Sequence, residues 1–530
     1  MKGCYFDKKY YFYRLNLSRL IMDKSEKFFQ EISEGYTFKG DSFVIGGAML
    51  DGVPIKDSLV KVPLKTLNRH GLIAGATGTG KTKSLQVMAE QLSEKGIPVL
   101  LMDLKGDLSG LAKPSPGHPK IDERMSKIGL KFTPNGFPVE MYSLTGKEGI
   151  QLRATVSEFG PILLSRISDL NDTQSSIISV LFKYADDHKL PLVDLKDLKE
   201  LIKWATGEGK IDFQEEYGRI STASTGSILR KIVELEQQDA DIFFGEPSFD
   251  IEDLMRIDEE GRGIISIIRL TDIQDKPKLF STFMLQLLAE IYAKMPEQGD
   301  ADRPELVFFI DEAHLIFRSA SKALLEQIES IVKLIRSKGV GIYFVTQNPK
   351  DIPNEVLAQL GLKIQHALRA FTAKDRQAIK LASQNFPLSD YYDTDEVLTS
   401  LGIGEALVTV LGRKGRPTPL VATLMRAPMS RMDILNDNEL KKVLSKSKLK
   451  DKYEKVIDKK TAYEILKAKI EKAEEKEETV KKKKKARREK EAPGMIEKVV
   501  KSSVGKLIIR EVTRSLLGVL GISSGYRRRR

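Results

Sequence analysis

The 530-residue chain has little cysteine, histidine or tryptophan: one Cys (Cys4), five His and one Trp. A single thiol excludes an internal disulfide and fits a reducing cytoplasm. Five scattered histidines beside one cysteine offer no zinc cluster. No uninterrupted apolar stretch approaches the ~20 residues that a membrane-spanning helix needs. The N-terminus also lacks the order of cationic run, apolar core and small-residue cleavage site that marks a secretory leader. A soluble cytoplasmic protein is therefore expected. Hydrophobic residues make up 41% and charged residues 30%, which excludes an intrinsically disordered chain. The length suffices for one large core or two domains.

The net charge of +12 is unevenly placed. Lys441 to Arg530 holds 30 Lys+Arg against 13 Asp+Glu, a balance of +17 that leaves the rest of the chain at −5. The body is mildly acidic, so any phosphate-binding surface on it must be local and not a global field.

The apolar pattern divides the chain into an N-terminal extension (1–34), a first core segment (35–149), an α-helical insertion (150–250), a second core segment (251–430) and a charged helical tail (431–530). Met22 is an alternative start, and "GYTFKGDSFVIGGAML" reads as a lead-in of short apolar segments. The core alternates short apolar runs with helical patterns, the sign of a parallel sheet with crossover helices. The runs are "GLIAG", "IPVLLMD", "GIISIIRL", "ELVFFID", "VGIYFVT" and "EALVTVLG". Segments such as "TQSSIISVLFKYADDH" and "VDLKDLKELIKWAT" are helical by period, and place the insertion after the second of these strands. In the tail, "KAEEKEETVKKKKKARREKE" is a solvated charge run, and an apolar face from Ile496 to Leu516 precedes a terminal "RRRR". Packing on a neighbouring subunit, binding nucleic acid and docking on an anionic membrane surface all remain open for it.

"GATGTGKT" (Gly75, Ala76, Thr77, Gly78, Thr79, Gly80, Lys81, Thr82) fits the phosphate-loop pattern G-x-x-x-x-G-K-[ST] between a buried strand and a helix. The glycines let backbone N–H groups turn inward around phosphates, and the helix presents its positive end. Lys81 would neutralise the terminal phosphates, and the Thr82 hydroxyl would ligate Mg²⁺. "ELVFFIDEAH" supplies Asp311 and Glu312 at a strand's C-terminal end, the first for the metal and the second as general base. Gln347, ending "VGIYFVTQ", suits a γ-phosphate sensor or water-orienting group. Arg336 in "KLIRSKGVG" is a candidate arginine finger for a neighbouring subunit's nucleotide, and Arg369 in "HALRAFT" a weaker one. Asp103 and Lys105 in "LLMDLKGD" sit at another strand end, where bordering the site and supporting the fold are equally open roles.

Taken in order, "GATGTGKT", "MDLKGD", "FFIDEAHLIF" and "IRSKGVGIYFVTQNPKDIP" resemble the HerA-FtsK branch of P-loop ATPases, and most of all its HerA-like C-terminal-domain family. The likeness runs from about residue 35 to 425 and includes "LNDTQ", "FFGEP" and "QHALRAFTAKDR". The resemblance implies an α/β fold: a RecA-like P-loop NTPase core, mostly parallel, with an additional strand between the phosphate-loop and Asp-Glu strands. It further implies a homo-oligomer, a hexameric ring with ATP and Mg²⁺ at subunit interfaces, and relatives that pump double-stranded DNA. On that basis Lys81 and Thr82 bind the Mg-nucleotide, Asp311 and Glu312 run hydrolysis, Gln347 is the sensor and Arg336 the trans-acting finger. Only about 70 residues precede the phosphate loop. The complete N-terminal β-barrel of HerA helicases is thus expected to be missing, which leaves a nuclease partner in doubt. The leading expectation is a DNA-translocating ATPase. The alternative is an ATPase that moves or remodels protein; a nucleotide-gated scaffold is a third, disfavoured by the intact Glu312.

Overall fold

All four residues of Gly71–Ala74 are buried apolar or glycine positions, so this strand can sit only in a sheet covered on both faces. The computed structural model describes residues 24–299, 301–319, 322–370, 372–412, 415–455 and 460–468. The chain divides into two units, Met1–Tyr463 and Glu464–Arg530. Cys4, Met22 and the tail's lysine-rich and apolar stretches lie outside the described residues.

The first unit is built on one twelve-stranded sheet. Its strands are β1 (Ser42–Leu50), β2 (Val53–Pro63), β3 (Gly71–Ala74), β4 (Val99–Asp103), β5 (Val139–Ser143) and β6 (Ile150–Gln151). They continue with β7 (Ile265–Arg269), β8 (Leu306–Ile310), β9 (Val340–Thr346), β10 (Leu362–His366), β11 (Glu405–Thr409) and β12 (Val421–Met425). The spatial order is β2-β1-β12-β11-β10-β3-β9-β8-β4-β7-β5-β6. From β10 to β6 every neighbouring pair is parallel; the four pairs from β10 back to β2 are antiparallel. β9 lies between β3 and β8, which is the additional strand that the resemblance implies. The central strands β3, β4, β8 and β9 are buried along their whole length, so Phe308 and Phe309 pack on opposite faces with no exposed surface.

β11 differs from the parallel strand expected of "EALVTVLG". The chain leaves β10 at the phosphate-loop edge and stays there through helices Ala373–Ser383 and Thr394–Ser400. Leu368 N–H donates to the Leu398 carbonyl across that excursion. The return strand therefore starts at the edge where β10 ended and must run the other way. Residues 42–63, read as a lead-in, form β1 and β2 and continue the antiparallel flank.

The helices that matter for the site are α1 (24–35), α2 (Lys81–Glu94) and α3 (Pro119–Ile128). A helical layer follows: α4 (Val156–Ile167), α5 (Asp172–Asp187), α6 (Leu195–Thr206), α7 (Lys210–Tyr217) and α8 (Thr222–Glu236). β5 and β6 precede this layer, whereas the sequence pattern put it directly after β4. Reciprocal caps start three of its helices, at Thr155/Glu158, Asn171/Gln174 and Asp194/Asp197. Tyr184 joins Trp204, Phe213 and Tyr217 with ring centroids 5.1–5.4 Å apart.

α2 is buried on nearly every side, because the segment after β12 straps across its outer face. Glu90 accepts N–H bonds from Met429 (2.8 Å) and Ser430 (2.9 Å), and Gln86 donates to Ser430 Oγ (2.7 Å). Burial pushes the Glu90 carboxyl up to about 7 against those bonds. A carboxyl whose folded pKa lies above its unfolded value stabilises the fold fully below the unfolded value, and that contribution is lost as pH rises through the folded one. The wild type should therefore lose stability relative to Glu90→Gln between about pH 4.5 and 7. Denaturant unfolding of both proteins across that window checks this; parallel curves would contradict it.

Candidate nucleotide-binding site

The loop between β3 and α2 takes its shape from glycine at three positions. Gly75, Gly78 and Gly80 have φ of 151°, 77° and 113°. A Cβ on Gly75 would lie 2.5 Å from His366 Cβ, so only glycine lets the loop pass the end of β10. Gly75 N–H donates to Thr346 O (3.3 Å), Ala76 N–H to Ala367 O (2.9 Å), and Gly404 N–H to Thr79 O (2.9 Å). The loop is thus tied to β9, β10 and the turn before β11. Thr79 Oγ1 closes it with a bond to Ala76 O (2.7 Å), while Thr77 and Gly78 form its exposed crest. Gly80 caps α2 without a side-chain bond, which leaves the helix's first N–H groups facing the concavity. The Lys81 ammonium reaches into the loop, donating to the carbonyls of Gly75 (2.7 Å) and Ala76 (3.0 Å). The Thr82 side chain is half-buried on the same first turn.

Sheet register brings the acids to this loop. Ile310 pairs with Phe344, and Thr346 with Ala74, so β8 stops two residues before β9 and β3 end, and its next two residues, Asp311 and Glu312, come level with those ends. Ala313 N–H donates to Val345 O (2.9 Å) and extends the alignment past the end of β8. Asp311 and Glu312 are 5% and 6% exposed. Glu312 has φ 47°, a left-handed conformation that costs a non-glycine residue roughly 1–3 kcal/mol. Asp311 Oδ1 accepts the Glu312 N–H (2.9 Å), while its Oδ2 is buried with no hydrogen-bond partner. Burial first, and the Glu312 charge second, push the Asp311 carboxyl up to about 7, with Lys105 acting against them.

Lys105 forms an ion pair with Glu312 Oε1, and His314 Nδ1 lies 3.1 Å from Glu312 Oε2. The turn carrying Lys105 is held by Asp103, whose buried carboxylate accepts N–H bonds from Gly106 (2.7 Å), Asp107 (3.3 Å) and Leu108 (3.2 Å). The two open roles therefore separate: Asp103 builds the turn and Lys105 meets the acids. Lys81 feels all three groups. Its pKa is lowered by burial and then by the Lys105 charge, with Glu312 and Asp311 opposing. Two ammonium groups and two carboxylates thus occupy one electrostatic neighbourhood at the ends of three strands.

The other candidates lie farther out. Gln347 is exposed, one residue past β9 and beside the level strand ends. Arg369 is exposed past the end of β10, on the loop's side of the sheet. Arg336 sits before β9, at the opposite edge from its own phosphate loop. There it lines a cavity of about 440 Å³ with Lys39, Lys65 and Arg69, and no carboxylate is among the lining residues. Three residues that the pattern did not single out support the site. His366 is buried with its pKa lowered to about 4 by burial. Its Nδ1 lies 2.8 Å from Glu405 O and its Nε2 2.9 Å from Ser84 Oγ, so a neutral ring with hydrogen on Nδ1 accepts from the serine. Arg124 donates to the carbonyls of Gly404 (3.0 Å) and Ile403 (3.0 Å), pressing that turn on the loop. Glu90 anchors the strap over α2. None has a local signal, since each is defined by a partner tens or hundreds of residues away.

The site's oxygen donors fit a magnesium ion better than a softer metal. The buried Asp311 Oδ2 has no partner and the Thr82 hydroxyl is nearby in sequence to Lys81. Among the described residues no group of three or more His, Cys, Asp or Glu could hold a metal alone. That suits Mg²⁺, which keeps waters and takes phosphate oxygens beside one or two protein ligands.

The chain is similar to the DNA double-strand break repair helicase HerA of Saccharolobus solfataricus, 24% identical over 361 residues, 67% of this chain and 64% of that protein. The matched stretch thus spans less than two thirds of that relative's length. It is also similar to the DNA import protein CedB of Sulfolobus acidocaldarius, 24% identical over 54% of this chain and 42% of the relative. Among solved structures, plasmid coupling protein TrwB in complex with ADP and Mg²⁺ aligns with a TM-score of 0.48 at 16% identity, covering 77% of this chain and 94% of that one. The family model described as Helicase HerA-like C-terminal matches residues 50–522. With that match over most of its length, the chain belongs to the HerA-like C-terminal helicase family.

Proposed function

We propose that the protein is a Mg-dependent ATPase that works as a HerA-like ring motor, translocating on or remodelling DNA. The observation that carries this reading is the convergence of Lys81, Lys105, Asp311 and Glu312 at the C-terminal ends of β3, β4 and β8. Lys81 and the N–H groups of Gly78, Gly80, Lys81 and Thr82 bind the triphosphate, while those of Gly75 and Ala76 tie the loop to the sheet. Thr82 and Asp311 hold the magnesium ion, which when bound draws charge from the phosphate oxygens. Glu312 takes the proton of a water whose oxygen bonds to the γ-phosphorus. The bond to the β–γ bridging oxygen breaks, and ADP leaves with its electron pair. Gln347 orients that water. Arg336 contributes to a neighbouring subunit's site; its place at the far edge of the sheet, in a cavity with three other cations, supports a role in trans over one in cis.

The relatives, a DNA double-strand break repair helicase and a DNA import protein, favour DNA as the moved substrate. No helix among the described residues is long and apolar enough to cross a membrane. Contact with DNA would run through the phosphate backbone and fall with salt. A motor on protein is the second reading, with ATPase activity that DNA leaves unchanged. Phosphate release by the purified protein, with and without duplex DNA at two salt concentrations, separates them: severalfold stimulation that weakens with salt is expected, and no stimulation would favour protein.

Lys81→Ala should weaken nucleotide binding at least tenfold, whereas Glu312→Gln should keep binding and slow hydrolysis by about 10²–10⁴-fold. Equilibrium binding and phosphate release on the same preparations check both. Arg336→Ala should bind nucleotide normally, turn over roughly 10³-fold slower, and regain activity when mixed with Glu312→Gln, because mixed rings contain intact interfaces. Absence of rescue in mixtures shown to co-assemble would contradict action in trans.

A further inference from the structure

Glu312 is a weaker base while its Oε1 is held by an ammonium. The residue holding it, Lys105, is built for the position: its turn is fixed by the three N–H bonds to buried Asp103, and Gly106 completes it with φ 76°. The Lys105 side chain is 43% exposed, so it retains room to move, while Glu312 is buried on a constrained backbone. Lys81 and Lys105 repel each other across the site, and Asp107 adds a third carboxylate to the group. A γ-phosphate seated on Lys81 brings new negative charge within reach of Lys105 and competes with Glu312 for it.

We propose that Lys105 is the site's γ-phosphate detector: it pairs with Glu312 when no γ-phosphate is present and transfers to that phosphate when ATP binds, which frees Glu312 to receive the proton of the attacking water. This rests on the reading of Lys81 and Glu312 as the hydrolytic pair. ADP offers no γ-phosphate, so after phosphate departs the ammonium returns to Glu312 and the base is weakened again. The device ties base activation to substrate occupancy and adds one phosphate contact that only the triphosphate makes.

The test compares the affinity of the full chain for Mg-ADP and for the non-hydrolysable analogue Mg-AMP-PNP, in wild type, Lys105→Met and Lys105→Arg. Lys105→Met should lose about tenfold of the preference for the triphosphate, bind ADP within about twofold of wild type, and turn over ATP at least tenfold more slowly. Lys105→Arg should recover most of the preference. An unchanged preference in Lys105→Met, equal weakening of both nucleotides with a lowered melting temperature, or turnover at or above the wild-type rate would each overturn the proposal. Glu312→Gln measured in parallel separates the two levels. Parental turnover in that variant removes the hydrolytic reading itself, while the ADP-to-analogue ratio needs no hydrolysis and reports on Lys105 alone.

Discussion

Two carboxylates side by side at the end of a parallel sheet repel each other, and burial makes both costlier to ionise. Like charges 4 Å apart cost about 4 kcal/mol at the effective dielectric near a protein surface. Asp311 and Glu312 are buried nonetheless, with Asp311 raised to about 7 and Glu312 paired to Lys105. The arrangement holds only because cations from two other strand ends, Lys81 after β3 and Lys105 after β4, stand beside them. Removing the buried Lys81 would leave the acids with only the part-exposed Lys105 against them. On the proposed reading, a divalent cation with a triphosphate would meet the same constraint from outside: the cation would relieve the carboxylates and the phosphates the ammonium groups.

Register is what makes this balance a site and not an accident. The pairing of Ala74 with Thr346 and of Phe344 with Ile310 sets the two residues after β8, the acids, level with the ends of β9 and β3. Because side chains alternate faces along a strand, a slip of one residue in β8 would move Asp311 to the other face and shift Glu312 by one register position from the loop. The wholly buried residues of β8 and β9 fix that register on both faces, and Ala313 N–H to Val345 O extends it to the acids themselves. Core packing and chemistry are therefore one constraint in this region: Phe308 and Phe309 hold the ruler against which the carboxylates are placed.

What was legible in the sequence was local. The strand at 71–74, the loop at 75–82, and the acids after "LVFFI" declare themselves through continuous apolar runs followed by glycine or carboxylate. β5, β6 and β10 did not, because "VEMYS", "IQ" and "LKIQH" are short and carry polar residues that the fold satisfies by tertiary partners. His366 and Arg124 stayed silent for the same reason: a neutral histidine under a serine and an arginine clamping two carbonyls are defined by residues 282 and 279–280 positions away. The reversal of β11 was equally hidden, since chain direction depends on which edge the preceding helices occupy and not on the strand's own composition. Lys105 stood between two roles in the sequence, and the ion pair to Glu312 decided between them.

The most direct measurement is the structure of the protein bound to magnesium and a non-hydrolysable ATP analogue. The account predicts a γ-phosphate about 3 Å from both the Lys81 and Lys105 amines, hydrogen-bond distance. The cation should lie between Thr82 and Asp311, and Glu312 should be turned toward a water in line with the γ-phosphorus. A triphosphate bound elsewhere, or one seated on Lys81 with the two acids too far away to reach it through a single water, would contradict it.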